Sequence, residues 1–297
     1  MDLLQLKYFE VAARHEHMTR AAEELHISQP SLSKAIGRLE EELGVMLFDR
    51  QGRNIRLNSF GKAFLKRVKK VFLELENGKR ELSDMSGLEQ GRISLAWTST
   101  SLLPRILEGF LEMYPRLSFH QIVASTVEMK HQLESGVIDL CISSPPVTGP
   151  GIICTPLYTE EIFLAVPENH RLAKRTAIDL IEAADEPFIC TKKGYGFRDI
   201  TDEFCRQAGF SPNIVFEGDV GSSLFSLVNA GLGVAFVPSP NLRDYSVKLP
   251  KLLRINRPVC RRTIGLAYFE GHYLSRAAQQ FCRYVTDYFR KNSGADI

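Results

Sequence analysis

The sequence predicts an α/β protein with three successive parts: an N-terminal helix-turn-helix, one long helix, and a larger domain of helices packed on a sheet. Three observations predict this order. Short helical segments follow one another closely up to residue 57, one helical period then continues to about residue 87, and β-rich stretches alternate with helices from Gly91 onward. A chain of 297 residues has room for these parts, which we assign to 1–58, 59–87 and 91–297.

Composition excludes several classes of protein. An apolar fraction of 44% and a charged fraction of 24% are typical of a folded globular chain, and a net charge of +2 by itself indicates no partner. The sequence has no signal-peptide pattern at its start and no apolar stretch near the roughly 18 residues of a membrane span, so we expect a cytoplasmic protein without membrane contact. Scattered cysteines and histidines predict reduced thiols, no metal site and no cofactor.

Two helices separated by a short turn form the predicted helix-turn-helix. A first helix, from about Asp2 to Arg14, precedes them. Thr19 can accept a backbone N–H as the N-cap of the second helix, and Ser28 can do so for the third. Pro30 falls in the first turn of the third helix, where its missing N–H has no cost. The third helix is therefore the one expected to enter a DNA groove.

The third helix has a polar face opposite an apolar stripe. The stripe recurs at spacings of four, three and four residues: Leu32, Ile36, Leu39 and Leu43. The opposite side carries Pro30, Lys34, Gly37 and Arg38, flanked by Gln29 and Ser33. These donors suit the major groove, but an ordinary amphipathic surface helix has a similar polar face. The helix alone leaves both interpretations open.

Cations without any intervening acid follow the third helix. Between residues 50 and 72 they are Arg50, Arg53, Arg56, Lys62, Lys66, Arg67, Lys69 and Lys70. Such a stretch favours contact with DNA phosphates, although a solvated basic surface is the alternative. Within it, Gln51 to Asn54 predicts a tight turn that joins two short strands.

Apolar residues recur at near-heptad spacing along residues 59–87, and Gly78 stands at the one position of this pattern where an apolar side chain is missing. A helix of this length is about 40 Å long and cannot bury the stripe against itself. We therefore expect pairing with the same helix of a second copy, and packing on the chain's own C-terminal domain is the alternative. The candidate dimerisation residues are Phe64, Val68, Val71, Leu75 and Leu82.

The first 65 residues follow a pattern known from one family. In order, they contain Phe9-x-x-Ala12-Ala13, Thr19-x-Ala21-Ala22-x-x-Leu25, Ser28-Gln29-Pro30-Ser31-x-Ser33-x-x-Ile36-x-x-Leu39-Glu40 and Leu43-Gly44-x-x-Leu47-Phe48-x-Arg50. This pattern resembles the LysR-type transcriptional regulators. One departure is Asn58-Ser59 where the family usually has a threonine, and either residue can cap the long helix.

The resemblance implies a winged helix-turn-helix, a dimerising linker helix and a two-lobed effector domain of the periplasmic-binding-protein-like type 2 fold. The expected lobes are 91–161 with 268–297, and 162–267. The implied partners are double-stranded DNA, a small-molecule effector, further copies of the chain in a dimer or tetramer, and RNA polymerase. The candidate DNA-binding residues are Thr19, Ser28, Gln29, Pro30, Ser33, Lys34, Arg38, Arg50 and Arg53.

The C-terminal domain alternates strands and helices, which predicts a largely parallel sheet. Ligands of such sheets lie beyond the carboxyl ends of the strands, near helix N-termini. By resemblance, these ends face a cleft between the lobes, where Lys192 or Lys193 would favour an anionic effector; a surface position for both lysines is the alternative. The candidate effector-binding residues are Ser99, Thr100, Ser101, Thr126, Ser143, Thr191, Lys192, Phe197 and Gly221.

Other functions fit the sequence less well. The stretch from Gly194 to Cys205 resembles the peroxide-sensing branch of the family, but Gly196 takes the position of the reactive cysteine and a lone Cys205 cannot form that disulfide. The sequence contains no phosphate-binding loop, nucleophile elbow or metal cluster that would indicate an enzyme. A solute-binding protein would explain only the C-terminal two-thirds, and an architectural DNA-binding protein only the N-terminal part.

Overall fold

The computed structural model describes residues 1–51, 54–85, 91–98, 103–218, 223–239 and 249–292. The chain divides into two compact units, Met1–Leu82 and Ser83–Ile297. None of the described helices is both long enough and apolar enough to cross a membrane.

Four helices and a two-stranded hairpin begin the chain. In chain order they are α1 (Leu3–His15), α2 (Met18–Glu24), α3 (Gln29–Leu43), β1 (Phe48–Gln51), β2 (Asn54–Leu57) and α4 (Ser59–Met85). The first three helices and the hairpin enclose one core, in which Phe9 is fully buried against the rings of Phe48 and Phe64. The hairpin is antiparallel, as predicted, with Phe48 opposite Leu57.

The caps of these helices match the sequence expectations in part. Ser28 caps α3 by accepting the N–H of Ser31, and Asn58 accepts the N–H of Gly61 at 2.9 Å in the first turn of α4. The prediction for α2 was wrong: His17 is the N-cap and accepts the N–H of Arg20, because its backbone is the last extended one before the helix. Thr19 therefore lies inside the first turn.

The apolar stripe of α4 serves two purposes along its length. Val68 is only 1% exposed and packs, together with Phe64, into the core of the first unit. The assignment of Val68 to a dimer seam was wrong, because a side chain buried in its own chain cannot contact a partner helix. Phe64 is only half-buried, and its assignment stays a prediction. The exposed stripe begins at Val71 and continues through Leu75 and Leu82, which are 41%, 43% and 67% exposed.

The second unit contains ten more strands and five more α-helices within the described residues. In chain order they are β3 (Arg92–Trp97), α5 (Leu103–Met113), β4 (Ser118–Ile122), α6 (Thr126–Glu134), β5 (Leu140–Ser143), β6 (Ile152–Val166), β7 (Ala177–Asp179), β8 (Pro187–Thr191), α7 (Gly196–Gln207), β9 (Asn213–Gly218), α8 (Leu224–Asn229), β10 (Ala235–Pro238), β11 (Lys251–Arg257), β12 (Arg261–Phe269) and α9 (Arg276–Asn292). A short 3-10 helix, Leu180–Ala183, follows β7.

The main sheet is mixed, and the prediction of a largely parallel sheet was wrong. Its strands lie in the order β4-β3-β5-β12-β6-β11-β7, with β10 also paired to β6. β3 is parallel to β4 and β5, but β12 is antiparallel to β5 and β6, and β10 and β11 are antiparallel to β6. The sheet is mixed because the long strand β6 pairs antiparallel with β10, β11 and β12. The sequence pattern does not indicate this strand.

Strands β6 and β12 cross between two hydrophobic cores, which define two lobes. Tyr158 and Ile264 pack in the core that includes α5 and α9, whereas Ile162 and Cys260 belong to the core that includes α7 and β8. The chain therefore changes lobe between residues 158 and 162, and again between residues 260 and 264. The return crossing precedes the predicted boundary at 267/268, because Ile264 already packs in the first lobe.

Candidate DNA-binding face and ligand cleft

The outer face of α3 is open and polar. Gln29, Pro30, Lys34 and Arg38 are exposed, and Ser33 is half-buried and accepts a hydrogen bond from the Gln29 side chain at 2.8 Å. The opposite stripe is buried as predicted, with Leu32, Ile36 and Leu39 between 0% and 2% exposed. Hydrophobic burial thus fixes which side of the helix faces out, and that side is rich in hydrogen-bond donors.

Gly37 leaves a gap in the middle of this face. A Cβ built at Gly37 has no described atom within 4 Å, so the described part of the fold gives no packing reason for glycine there. A glycine inside a helix costs up to about 1 kcal/mol relative to alanine. The missing side chain provides room for something to approach the backbone of α3.

Two carboxylates, the buried one of Glu40 on α3 and the exposed one of Glu16 at the end of α1, anchor the hairpin to the helices. Glu40 on α3 is 7% exposed and accepts the N–H groups of Leu47, at 2.7 Å, and Phe48. The side chain of Glu16 accepts the N–H of Leu57 at 3.0 Å. Hydrogen bonds to carboxylate acceptors are among the stronger ones, so Glu40 fixes the hairpin relative to α3 and Glu16 fixes it relative to α1. Glu40 is part of the family pattern in the sequence, but sequence reasoning gave it no role.

The predicted cations lie around the hairpin and the start of α4. In the described part of the chain they are exposed and none has an acidic partner: Arg56, Lys62, Lys66, Arg67, Lys69 and Lys70. Arg53 lies outside the described residues, and Arg50 is placed only as part of strand β1. An unneutralised cationic surface next to an open polar helix face is the arrangement that attracts a polyanion.

In the second unit, the first lobe presents hydroxyls around the turn after β5. The Oγ1 of Thr98 accepts the N–H of Ser144 at 3.2 Å, and the Oγ of Ser143 donates to the carbonyl of Pro145 at 2.9 Å. The Ser144–Pro145 peptide is cis. The Oγ of Ser144 is buried and has no hydrogen-bond partner among the described residues. Ser143 is thus engaged within its own turn, whereas Ser144 retains an unused hydroxyl.

The two lobes touch at the start of α7. The N–H of Gly196 donates to the Oγ1 of Thr126 at 3.1 Å. A Cβ built at Gly196 would lie 2.2 Å from the Cδ of Pro145 and 2.8 Å from Thr126 Oγ1, so only glycine permits this approach. Thr126 is the first residue of α6. The contact brings one predicted site residue, Thr126, against the second lobe.

The second lobe contributes the end of β8 and the start of α7. Thr191 ends β8, and its Oγ1 is buried without a partner among the described residues. Its carbonyl accepts from Arg198, which is 3% exposed and also pairs with Asp202 at 2.8 Å and Glu217 at 2.7 Å. Sequence reasoning missed Arg198 as the residue that holds this end of β8 against α7.

The remaining predicted ligand-binding residues divide into placed and unplaced ones. The Lys192 ammonium lies 5.3 Å from the ring centre of Tyr195. The pKa of the Glu128 carboxyl on α6 is lowered, chiefly by the N–H and hydroxyl of Ser125, and the charge of Lys192 adds to this effect. Lys192 therefore lies near an acid of the first lobe. Four predicted residues lie outside the described ones: Ser99, Thr100, Ser101 and Gly221.

The thiols of the second lobe are buried. Cys205 is 0% exposed, and burial raises its pKa to about 12. Burial likewise raises the pKa of Cys190 to about 11. Because the thiolate is the reactive form, these cysteines stay protonated and unreactive near neutral pH.

Two family models match the chain. The bacterial regulatory helix-turn-helix protein model of the lysR family matches residues 3–62, and the LysR substrate binding domain model matches residues 86–290.

Curated relatives match almost the whole chain. The chain is 40% identical over 292 residues to the uncharacterized HTH-type transcriptional regulator YybE of Bacillus subtilis strain 168, an alignment covering 97% of this chain and 99% of the relative. It is 31% identical over 293 residues to the DNA-binding transcriptional dual regulator OxyR of Escherichia coli K12, covering 96% and 95%.

Solved structures share the fold. CbnR complexed with its target DNA superposes with a TM-score of 0.70 at 24% identity, covering 97% of this chain and 99% of that one. The effector-binding domain of QuiR in complex with shikimate superposes with a TM-score of 0.60 at 28% identity, covering 68% and 98%. The fold of both units, the family models and the full-length relatives agree. The chain belongs to the LysR family of DNA-binding transcriptional regulators.

Proposed function

We propose that this chain is a transcriptional regulator whose DNA binding, or activation of transcription, is changed by a small anionic molecule bound between its two lobes. Its partners in this proposal are double-stranded DNA, the effector, further copies of the chain and RNA polymerase. Since chromosomal DNA is its target, we expect it to act in the cytoplasm. The observation that carries the proposal is the open donor face of α3 beside an unneutralised cationic surface.

DNA recognition divides between two groups of side chains in this proposal. Gln29, Pro30, Ser33 and Lys34 probe base edges from the N-terminal half of α3, as a recognition helix does in the major groove. Arg38, Arg50 and Arg53 contact phosphates, with Thr19 and Ser28 near the helix starts. The gap at Gly37 supports this assignment, because it lets the DNA come close to the helix backbone.

Self-association follows from the exposed part of α4. Val71, Leu75, Leu82 and Met85 leave an apolar stripe on the surface of a long helix, and burial against a second α4 removes it from water. A two-fold pair presents two α3 helices to two half-sites. We further propose that two such dimers join as a tetramer across two DNA sites.

Effector binding is supported by unused polar groups near the contact between the lobes. A buried hydroxyl without a partner costs about 1–3 kcal/mol, and Ser144 and Thr191 each have one, on opposite lobes. A ligand with polar groups on both sides would satisfy them. QuiR, which shares the domain fold, is bound to the hydroxylated carboxylate shikimate.

The test begins with duplexes selected from a random library by the full-length protein. Lys34→Ala should weaken binding to the selected duplex by about tenfold or more, but binding to a scrambled duplex far less. Arg38→Ala, the matched control on the same helix, should weaken both equally and lower the salt dependence of binding.

Two outcomes would count against the proposal. If Lys34→Ala weakened both duplexes equally, Lys34 would be a phosphate contact and the assignment of the face would be wrong. If the full-length protein enriched no sequence from the library, sequence-specific DNA binding itself would be rejected.

A further inference from the structure

Residues 255–260 stand away from β6 near the point where that strand changes lobe. The residue before them, Arg254 on β11, pairs with Phe163 of β6, and the residue after them, Arg261 on β12, pairs with Glu161. Only one residue of β6 lies between these two pairs. A regular ladder cannot absorb so large a difference in chain length, so the edge of β6 is open at this point.

The opening is a cavity of about 180 Å³. Ile162, Ile255 and Cys260 are buried and form an apolar floor, and the exposed Val259 lines one side. An engineered apolar cavity of about 150 Å³ is large enough for benzene, so this one has room for a compact group of about six heavy atoms.

Two guanidinium groups share one carboxylate at the rim of the cavity. The Nη2 atoms of Arg254 and Arg261 both donate to Oε1 of Glu161, at 2.8 Å and 3.3 Å. The hydrogen bond from Arg254 is the chief cause of the lowered pKa of Glu161, so this carboxylate is ionised near neutral pH. Two cations and one anion leave one positive charge uncompensated at the rim.

The rim faces away from the contact between the lobes. Successive side chains of a strand point to opposite faces, so Glu161 and Arg261 lie on the other face from their neighbours Glu160 and Arg262. Those neighbours form a buried ion pair at 2.6 Å, and the Arg262 guanidinium lies 5.1 Å from the ring centre of Phe197, beside the contact between the lobes. The rim therefore lies on the opposite side of the crossing strands from the cleft.

The ion pairs of the rim can be exchanged at little cost. The side chains of Arg254 and Arg261 are 61% and 57% exposed, and that of Glu161 is 31% exposed. Exposed ion pairs contribute little to stability, so an incoming anion can take the place of Glu161 without unfolding the hairpin. The uncompensated charge matches a monoanion, and the apolar floor matches an organic group rather than a bare inorganic ion.

We propose that this cavity binds a small organic carboxylate. Its carboxylate accepts charge-assisted hydrogen bonds from Arg254 and Arg261, in competition with Glu161, and its compact apolar group covers the floor of the cavity. This site is separate from the cleft and does not depend on the proposed function. Because residues 255–260 connect β11 to the strand that returns to the first lobe, a bound ligand holds this connection in one conformation.

The experiment measures binding to the full-length protein by calorimetry, without DNA. The probes are 3-methylbutyrate and cyclopentanecarboxylate, the uncharged carboxamides of both, and inorganic phosphate. The rim variants are Arg254→Met, Arg261→Met and Glu161→Gln. Arg206→Met is the matched control, because Arg206 is an exposed arginine that pairs with a glutamate elsewhere in the same unit.

We expect at least one of the two carboxylates to bind the wild type with millimolar or tighter affinity, and clearly more tightly than its carboxamide. Arg254→Met and Arg261→Met should each weaken this binding by about tenfold, whereas Arg206→Met should leave it unchanged. Glu161→Gln should strengthen it several-fold, because the competing anion is gone. All of these side chains are exposed, so the variants should keep the melting temperature of the wild type within a few degrees.

Several results would overturn this proposal. They are binding of neither carboxylate, equally tight binding of a carboxamide or of phosphate, and full affinity in both Arg254→Met and Arg261→Met. The variant Ser144→Ala, Thr191→Val separates this cavity from the cleft. Unchanged carboxylate affinity in that variant supports a separate site, whereas loss of binding in it places the carboxylate in the cleft, which overturns this proposal and leaves the proposed function standing.

Discussion

The DNA-binding face and the ligand cleft are built in opposite ways. On α3, neighbouring residues of one helix face outward, and Gly37 leaves open space between them. Around the contact between the lobes, Thr126, Ser144 and Thr191 come from three separate parts of the sequence and are buried or half-buried. The difference follows from the ligands. DNA is a large surface to be touched from outside, whereas a small molecule has to be enclosed before it can be recognised.

The two regions also differ in how firmly their parts are held. Glu40 and Glu16 tie the hairpin to the helices of the first unit. The lobes of the second unit are joined by the two crossing strands and touch at Gly196 and Thr126. A rigid face suits a fixed DNA geometry, and a two-strand connection suits closure around a ligand.

The largest expected effect comes from filling the gap on α3. Gly37→Leu should leave the fold intact, because a Cβ there meets no described atom and leucine is the better helix former. The bulky side chain should block approach of the DNA and reduce affinity for the selected duplex about a hundredfold. Fluorescence anisotropy with the labelled duplex measures this loss. An unchanged affinity would show that this side of α3 faces away from DNA.

A second large effect is expected in self-association. Leu75→Glu places a charge in the exposed stripe of α4 and should weaken the dimer about a hundredfold. Sedimentation over a range of protein concentrations would detect the shift toward monomer. Glu81→Lys changes charge elsewhere on the exposed surface of the helix and serves as the control. If Leu75→Glu associates like the wild type, the chain pairs through another surface.

A smaller effect is expected on stability, where alanine at Gly196 and alanine at Gly37 should act in opposite directions. Gly196→Ala should destabilise the protein by about 1–3 kcal/mol, because the new methyl group overlaps Pro145 and Thr126. The same change at Gly37 should stabilise α3 by up to about 1 kcal/mol. Thermal denaturation of the two variants tests the contrast. Equal changes in melting temperature would mean that the contact between the lobes accommodates a methyl group as well as the open surface of α3 does.

No effect is expected at the buried thiol. Cys205→Ser should respond to hydrogen peroxide just as the wild type does, since the thiol is protonated and enclosed and Gly196 stands where a partner cysteine would be needed. DNA affinity before and after peroxide treatment is the measurement. A peroxide response present in the wild type and lost in Cys205→Ser would reveal a redox role.

The sequence predicted the first unit well because its information is local. The spacing of Leu32, Ile36 and Leu39 determines which side of α3 is buried, and Ser28 caps the helix as its position suggests. The error on α4 has a physical cause as well. A heptad pattern gives the same signal whether Val68 packs on its own chain or on a partner, and here it packs on its own chain.

The second unit was harder to predict because its site depends on long-range pairing. The 15-residue strand β6 runs from one lobe to the other, and its buried and exposed residues alternate only weakly. Its pairing with β12 brings Glu160 to Arg262, which lies 102 residues further along the chain. Neither residue belongs to a motif. Similarly, Gly196 meets Thr126 only through the fold, 70 residues apart. Local patterns cannot indicate such contacts, although an arginine at an inward position of a strand is a usable signal.

The central claim is that a ligand in the cleft changes DNA binding, and one measurement tests it most directly. The affinity and footprint of the full-length protein on the selected duplex are determined with and without a saturating small anion that raises its melting temperature. The same is done for the variant Ser144→Ala, Thr191→Val. We expect a change of about tenfold in affinity, or a shorter or longer footprint, in the wild type only, and equal DNA binding of both proteins without ligand. Identical affinity and footprint of the wild type with and without ligand would contradict it.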